Sequence, residues 1–81
     1  MNNPKEKVNL TQSAKCLSID QSEKAANAIY DLCDLEGRIQ QTGNLDEQGR
    51  AEIDISDLDA GRYQLFIISE GSIFKSMVNV D

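Results

Sequence analysis

Gly61-Arg62-Tyr63-Gln64-Leu65-Phe66-Ile67-Ile68-Ser69-Glu70-Gly71-Ser72-Ile73-Phe74-Lys75-Ser76-Met77-Val78-Asn79-Val80 is the stretch whose reading decides the fold. Successive side chains of an extended strand point to opposite faces. Arg62 to Ser69 therefore puts Tyr63, Leu65 and Ile67 on one face, with Phe66 and Ile68 on the other. Glu70-Gly71-Ser72 is a short hairpin turn. Beyond it Ile73, Lys75, Met77 and Asn79 alternate with Phe74, Ser76, Val78 and Val80. Two adjacent strands joined by a tight turn are the seed of an antiparallel sheet.

Upstream, the same signals repeat. Asp57-Leu58-Asp59-Ala60-Gly61 is a tight connection plugged by one inward leucine, Leu58. Ala51, Ile53 and Ile55 alternate with Glu52, Asp54 and Ser56, apolar inside and polar outside, as a half-buried strand requires. Asp46-Glu47-Gln48-Gly49 is a turn in which Gly49 supplies a positive φ. Arg38 to Thr42 is a short strand ended by Gly43-Asn44.

Asp20 to Gly37 supports two readings. As a helix, Asp20 is the N-cap, Glu23 completes a capping-box-like pair, and Ala25, Ala26, Ile29, Cys33 and Glu36 follow the helical spacing to Gly37. With period two, Ala28, Tyr30 and Leu32 alternate with Ile29, Asp31, Cys33 and Leu35, giving a strand apolar on both sides. The local pattern leans to helix. Nearer the start, Val8 with Leu10 and Leu17 with Ile19 suggest two brief strands around the polar Thr11–Lys15.

With 81 residues, the chain is read as one domain, 1–81. Such a domain buries only about 60% of the surface its unfolded chain exposes, so its core must be economical. Hydrophobic residues are 40% of the chain and aromatics 5%, leaving Ile, Leu and Val to build a strand-type core. Fourteen acidic residues against eight Lys and Arg give a net charge of −6. Nucleic-acid binding needs clustered cations, so that class is disfavoured. No apolar run reaches the ~20 residues that span a bilayer. Met1–Lys7 is polar and lacks the apolar core of a signal peptide.

Cys16 and Cys33 form either one bridge or two free thiols; without any His they are a poor metal set, and no metal or cofactor is expected. The absence of His also removes Ser-His and Cys-His nucleophile pairs, and no catalytic residue is assigned. A small sandwich has little room for a glycosidase cleft flanked by paired carboxylates, so neither enzymatic activity nor a small-molecule substrate is expected. The Asp54, Asp57, Asp59 group has two readings, calcium ligands or turn caps, and its spacing fits no EF-hand loop. Phe66, Ile68, Phe74 and Val78 likewise have two: a second core face, or a docking surface or exposed edge for strand addition.

The ordered set Asp34-Leu35-Glu36-Gly37-Arg38, Ile53-Asp54-Ile55-Ser56-Asp57-Leu58-Asp59-Ala60-Gly61-Arg62-Tyr63, the Gly71 turn and a last strand resembles the type A C-terminal sorting domain of the Bacteroidetes type IX secretion system. Asn3-Pro4 followed by Val8 and Leu10 also looks like that family's opening. Cys33 stands where the family has Tyr, Asp59 where Pro is common, and the chain ends Asn79-Val80-Asp81 where members often carry Lys or Arg.

The resemblance implies an all-β, immunoglobulin-like antiparallel sandwich of about six or seven short strands, with Ala28–Leu35 as a strand. Within it Asp34, Gly37, Arg38, Leu58 and Gly61 would shape turns, Asp34 accepting backbone N–H bonds. Tyr63 would bury its ring and extend its hydroxyl to a partner at the sandwich edge. It further implies an address label on a longer precursor. That precursor would be exported through the periplasm to the outer membrane or cell surface, with translocon and sortase proteins as partners. The partner-binding candidates are Tyr63, Phe66, Ile68, Gly71, Phe74, Lys75, Val78 and Val80. The competing expectation is a structural accessory or assembly module with no export role.

Overall fold

Alternation becomes seven antiparallel strands among the described residues, 8–21 and 27–81, of the computed structural model. They are β1 (Val8–Gln12), β2 (Cys16–Gln21), β3 (Ile29–Asp34), β4 (Ile39–Asn44), β5 (Arg50–Asp54), β6 (Gly61–Ser69) and β7 (Ser72–Val80). One sheet has the order β1-β2-β5 and the other β4-β3-β6-β7. The chain changes sheets between β2 and β3, between β4 and β5, and between β5 and β6, which makes a Greek-key sandwich.

The core is the layer where the two inner faces meet. Leu17, Ile19 and Ile53 enter it from the first sheet, and Tyr30, Leu32, Tyr63, Leu65, Ile67, Val78 and Val80 from the second. Leu45 and Ile55, just outside strands, close its ends, and Leu58 packs against it as the expected plug. Among the described residues seven side chains are all but fully buried, and every one is Leu or Ile. Branched aliphatics fill a narrow inter-sheet space without polar atoms to satisfy.

Three expectations are corrected. The helical reading of Asp20–Gly37 fails because Asp20 pairs with Arg50 across β2 and β5, while Ile29–Cys33 pairs with β4 and Ile29–Asp34 with β6. A strand flanked on both sides satisfies its whole backbone in the sheet, and that outweighs local helix propensity. Of the helical reading, Glu23 of the capping pair and the spaced Ala25 and Ala26, like Met1–Lys7 with Asn3-Pro4, lie outside the described residues. Gly43-Asn44 does not end β4 but belongs to it, paired with Tyr30 and Ile29. Thr11 belongs to β1, paired with Ser18.

The two thiols are free. Leu17 and Leu32 point into the core, so Cys16 and Cys33, each one residue away, point out of the sandwich on opposite sides. Side chains so directed cannot be bridged.

Candidate functional site

The turn between β3 and β4 is built around one carboxylate. Asp34 Oδ1 accepts the N–H of Glu36 and of Arg38, both at 2.9 Å. Arg38 also donates from Nε to Asp34 Oδ2 at 2.8 Å and from its terminal nitrogen to Glu36 at 2.7 Å. Gly37 takes φ +89°, closing the turn with its N–H on the Asp34 carbonyl at 3.1 Å. The Arg38 N–H first, with the Arg38 side chain and the Glu36 N–H, holds the Asp34 carboxyl below the usual carboxylate range.

The turn before β5 repeats it. Asp46 Oδ1 accepts the N–H of Gln48 and Arg50 at 2.9 Å, Gly49 takes φ +80°, and the Arg50 N–H leads in lowering the Asp46 pKa. Both turns read Asp-x-x-Gly-Arg, a repeat visible in the sequence and not used in reading it.

Asp54 is committed to a turn as well. Its Oδ1 accepts the Ser56 hydroxyl at 2.6 Å and the Ser56 N–H at 2.9 Å, and these bonds, the hydroxyl first, lower its pKa. Asp57 and Asp59 are exposed. Of the two readings for this acidic group, the geometry gives Asp54 to turn capping. Among the described residues, no group of three or more His, Cys, Asp or Glu is arranged to hold a metal ion.

The expected partner-binding residues divide between two faces. Tyr63, Phe74 and Val78 share the inward face with Leu65 and Ile67, because the β6–β7 register sets Tyr63 against Val78 and Ile67 against Phe74. Val78 and Val80 are 4% and 6% exposed core residues, Tyr63 is buried, and Phe74 packs against the core. The grouping of Phe74 and Val78 with Phe66 and Ile68 is therefore wrong. Two positions share a sheet face when the register pairs them, when they differ by an even number along one strand, or when such steps link them. The Tyr63 ring is core, and its hydroxyl donates to the Asp59 carbonyl at 2.6 Å, spanning the corner between β5 and β6. Gly61 (φ +147°) and Gly71 (φ +80°) form the backbone of their turns.

Phe66, Ile68 and Lys75 do face outward, and the structure adds neighbours the sequence did not single out. Ile29, Ile68 and Ile73 form one transverse row on the outer face of the second sheet. Asp31, Phe66 and Lys75 form the next, and Cys33, Gln64 and Met77 the third, continued by Ile39. Ile73 is 67% exposed, Ile39 57% and Met77 50%. The signal for Ile29 and Ile39 was their period within β3 and β4, legible only once those strands are known to flank β6. Burial, then the nearby Asp31 and Asp34 charges, push the Cys33 thiol up, which keeps it protonated on this face.

The depressions along Gln12, Ser13, Ala14, Asn79 and Asp81, along Leu45 to Gln48, and along Ile68 to Ile73 are open to solvent. What the arrangement offers is a set of rigid turns and one broad, partly apolar sheet face.

No family model matches the sequence, and no curated protein matches it. Among solved structures, the chain is similar to a DUF3244 family protein with an immunoglobulin-like β-sandwich fold from Bacteroides vulgatus. The TM-score is 0.81 at 12% identity, over 91% of this chain and 84% of that one. The chain thus has the immunoglobulin-like β-sandwich fold, shared with a protein of very different sequence.

Proposed function

We propose that this domain is an address label of the type IX sorting kind. It is recognised as a folded unit by translocon and sortase proteins, directs an upstream passenger to the cell surface, and performs no chemistry itself. One observation carries the reading. Three of the segments that carry the resemblance, the Asp34 turn, the stretch ending at Tyr63 and the last strand, meet at one end of the second sheet, where Asp34 pairs with Tyr63 and Tyr63 pairs with Val78. The Asp34 turn, the Asp59–Tyr63 corner and the closing strand β7 thus adjoin at one end of the second sheet, held together by the buried Tyr63 and Val78 beneath them.

The test is export. Residues 3–81 are fused behind a signal peptide and a fluorescent passenger in a secretion-competent Bacteroidetes strain. The passenger is expected at the cell surface or in the medium. Periplasmic retention equal to that of a translocon-deficient strain sinks the reading. The alternative is an assembly module with no export role, favoured by the exposed Ile29–Ile68–Ile73 row. Retention of a folded, stable fusion would point to it.

A further inference from the structure

We infer that the outer face of the β4-β3-β6-β7 sheet is an interface between two copies of this chain, related by a two-fold axis running along β6. The inference does not rest on the export reading.

The central row of that face carries Asp31 on β3, Phe66 on β6 and Lys75 on β7, in that order across neighbouring strands. Asp31 and Lys75 flank the ring and belong to no ion pair among the described residues. A two-fold axis parallel to the strands over β6 carries β3 of one copy over β7 of the other. Phe66 then meets Phe66, Asp31 meets Lys75, and Lys75 meets Asp31. The same operation sets Ile29 against Ile73, Ile68 against Ile68, and Cys33 against Met77. Every row is self-complementary, as an isologous contact requires.

The charges also select the axis. Turning it across the strands would place Asp31 over Asp31 and Lys75 over Lys75, two like-charge clashes. Shifting it between β3 and β6 would lay Asp31 on Phe66 and Asn44 on Ile73. Face-to-face sheets pack about 10 Å apart, a gap that a Lys and an Asp side chain together span. Packed sheets cross at about 30°, so the central row, nearest the crossing point, keeps its register best.

Overlap of three strands covers on the order of 800 Å² in total, below the standard size of a stable interface. The dimer is therefore weak and concentration-dependent.

Sedimentation velocity of the full chain tests this from about 10 μM to about 1 mM, in roughly 0.15 M salt, where long-range repulsion between two −6 chains is screened. The mass average is expected to move from monomer toward dimer. Lys75→Asp, on an exposed edge position, should weaken association at least about tenfold, and Asp31→Lys with Lys75→Asp should restore it. Asp31 also accepts a bond from the Thr42 hydroxyl at 2.7 Å, so circular dichroism accompanies the double variant. Ile73→Lys probes the same face without touching Asp31 and should also abolish dimerisation. A natural chain monomeric throughout overturns the inference, as does association unaffected by Lys75→Asp or by Ile73→Lys. A folded double variant that stays monomeric overturns the charge pairing that defines the axis.

Discussion

Tyr63 donates its phenolic hydrogen to the carbonyl of Asp59, four residues earlier, at 2.6 Å. The ring is buried among the core side chains while the hydroxyl ties the start of β6 to the loop that leaves the other sheet. This is the tyrosine corner of immunoglobulin-like sandwiches, here built at the junction where the chain crosses between sheets.

Tyr63→Phe keeps the ring and removes the bond. A single neutral hydrogen bond contributes about 1 kcal/mol net. For a domain of this size that is a fall of about 4–8 °C in Tm, measured by calorimetry. An unchanged Tm would mean that the Asp59 carbonyl loses nothing by turning to water.

Gly43 lies directly beneath the Tyr30 ring. A Cβ there would stand 2.7 Å from Tyr30 Oη and 2.9 Å from Cζ. Gly43→Val should therefore force the ring off its site and destabilise by about 1–3 kcal/mol, despite the higher strand propensity of valine. Pairing it with Tyr30→Leu should recover part of the loss in urea melts. Stabilisation by Gly43→Val alone would show that the close approach does not matter.

Neighbouring residues of β6 should respond very differently to truncation. Leu65 has no exposed surface and Phe66 is half-buried on the outer face. Leu65→Ala should cost about 2–5 kcal/mol by transfer and cavity terms. Phe66→Ala should cost the dilute monomer less, despite the larger side chain. Chemical denaturation at low concentration compares them, and equal losses would contradict the assigned faces.

Acid should weaken the domain through its turns. Asp34, Asp46 and Asp54 are all held below the usual carboxylate range by hydrogen bonds. Their stabilisation is present above the unfolded-state value of about 3.9 and is lost as pH falls through the lower folded-state values. Stability should fall below about pH 4. The double variant Asp34→Asn with Asp46→Asn should be less stable at neutral pH and flatter in acid, read by thermal melts across pH.

The thiols should remain separate. Cys16 is half-buried, whereas Cys33 is 7% exposed with its thiol pKa raised. Iodoacetamide labelling followed by mass spectrometry should modify Cys16 well before Cys33, and reducing agent should leave the Tm unchanged. Preferential labelling of Cys33 would place it elsewhere than on the packed sheet face.

Much of this architecture was written in short-range pattern. The period-two runs 51–55, 62–69 and 73–80 were legible as strands. The Asp46–Gly49 and Glu70-Gly71-Ser72 segments were legible as chain reversals, because turn chemistry acts within four residues. Asp34 as a cap and Tyr63 as a ring with a tethered hydroxyl were expected only through the family resemblance, and the structure shows both. Residues 29–34 were not legible, since Ile29, Tyr30, Leu32 and Cys33 suit a helix or a strand until β4 and β6 flank them. Nor was the working face. Whether Phe74 and Val78 look inward or outward depends on the register that pairs Ile67 with Phe74 and Tyr63 with Val78. A one-residue slip would have reversed both. Register and sheet order are long-range quantities, settled by which residues two distant segments bury together. That is why Asp31, Phe66 and Lys75, separated by up to 44 positions in the chain, became one row only on folding.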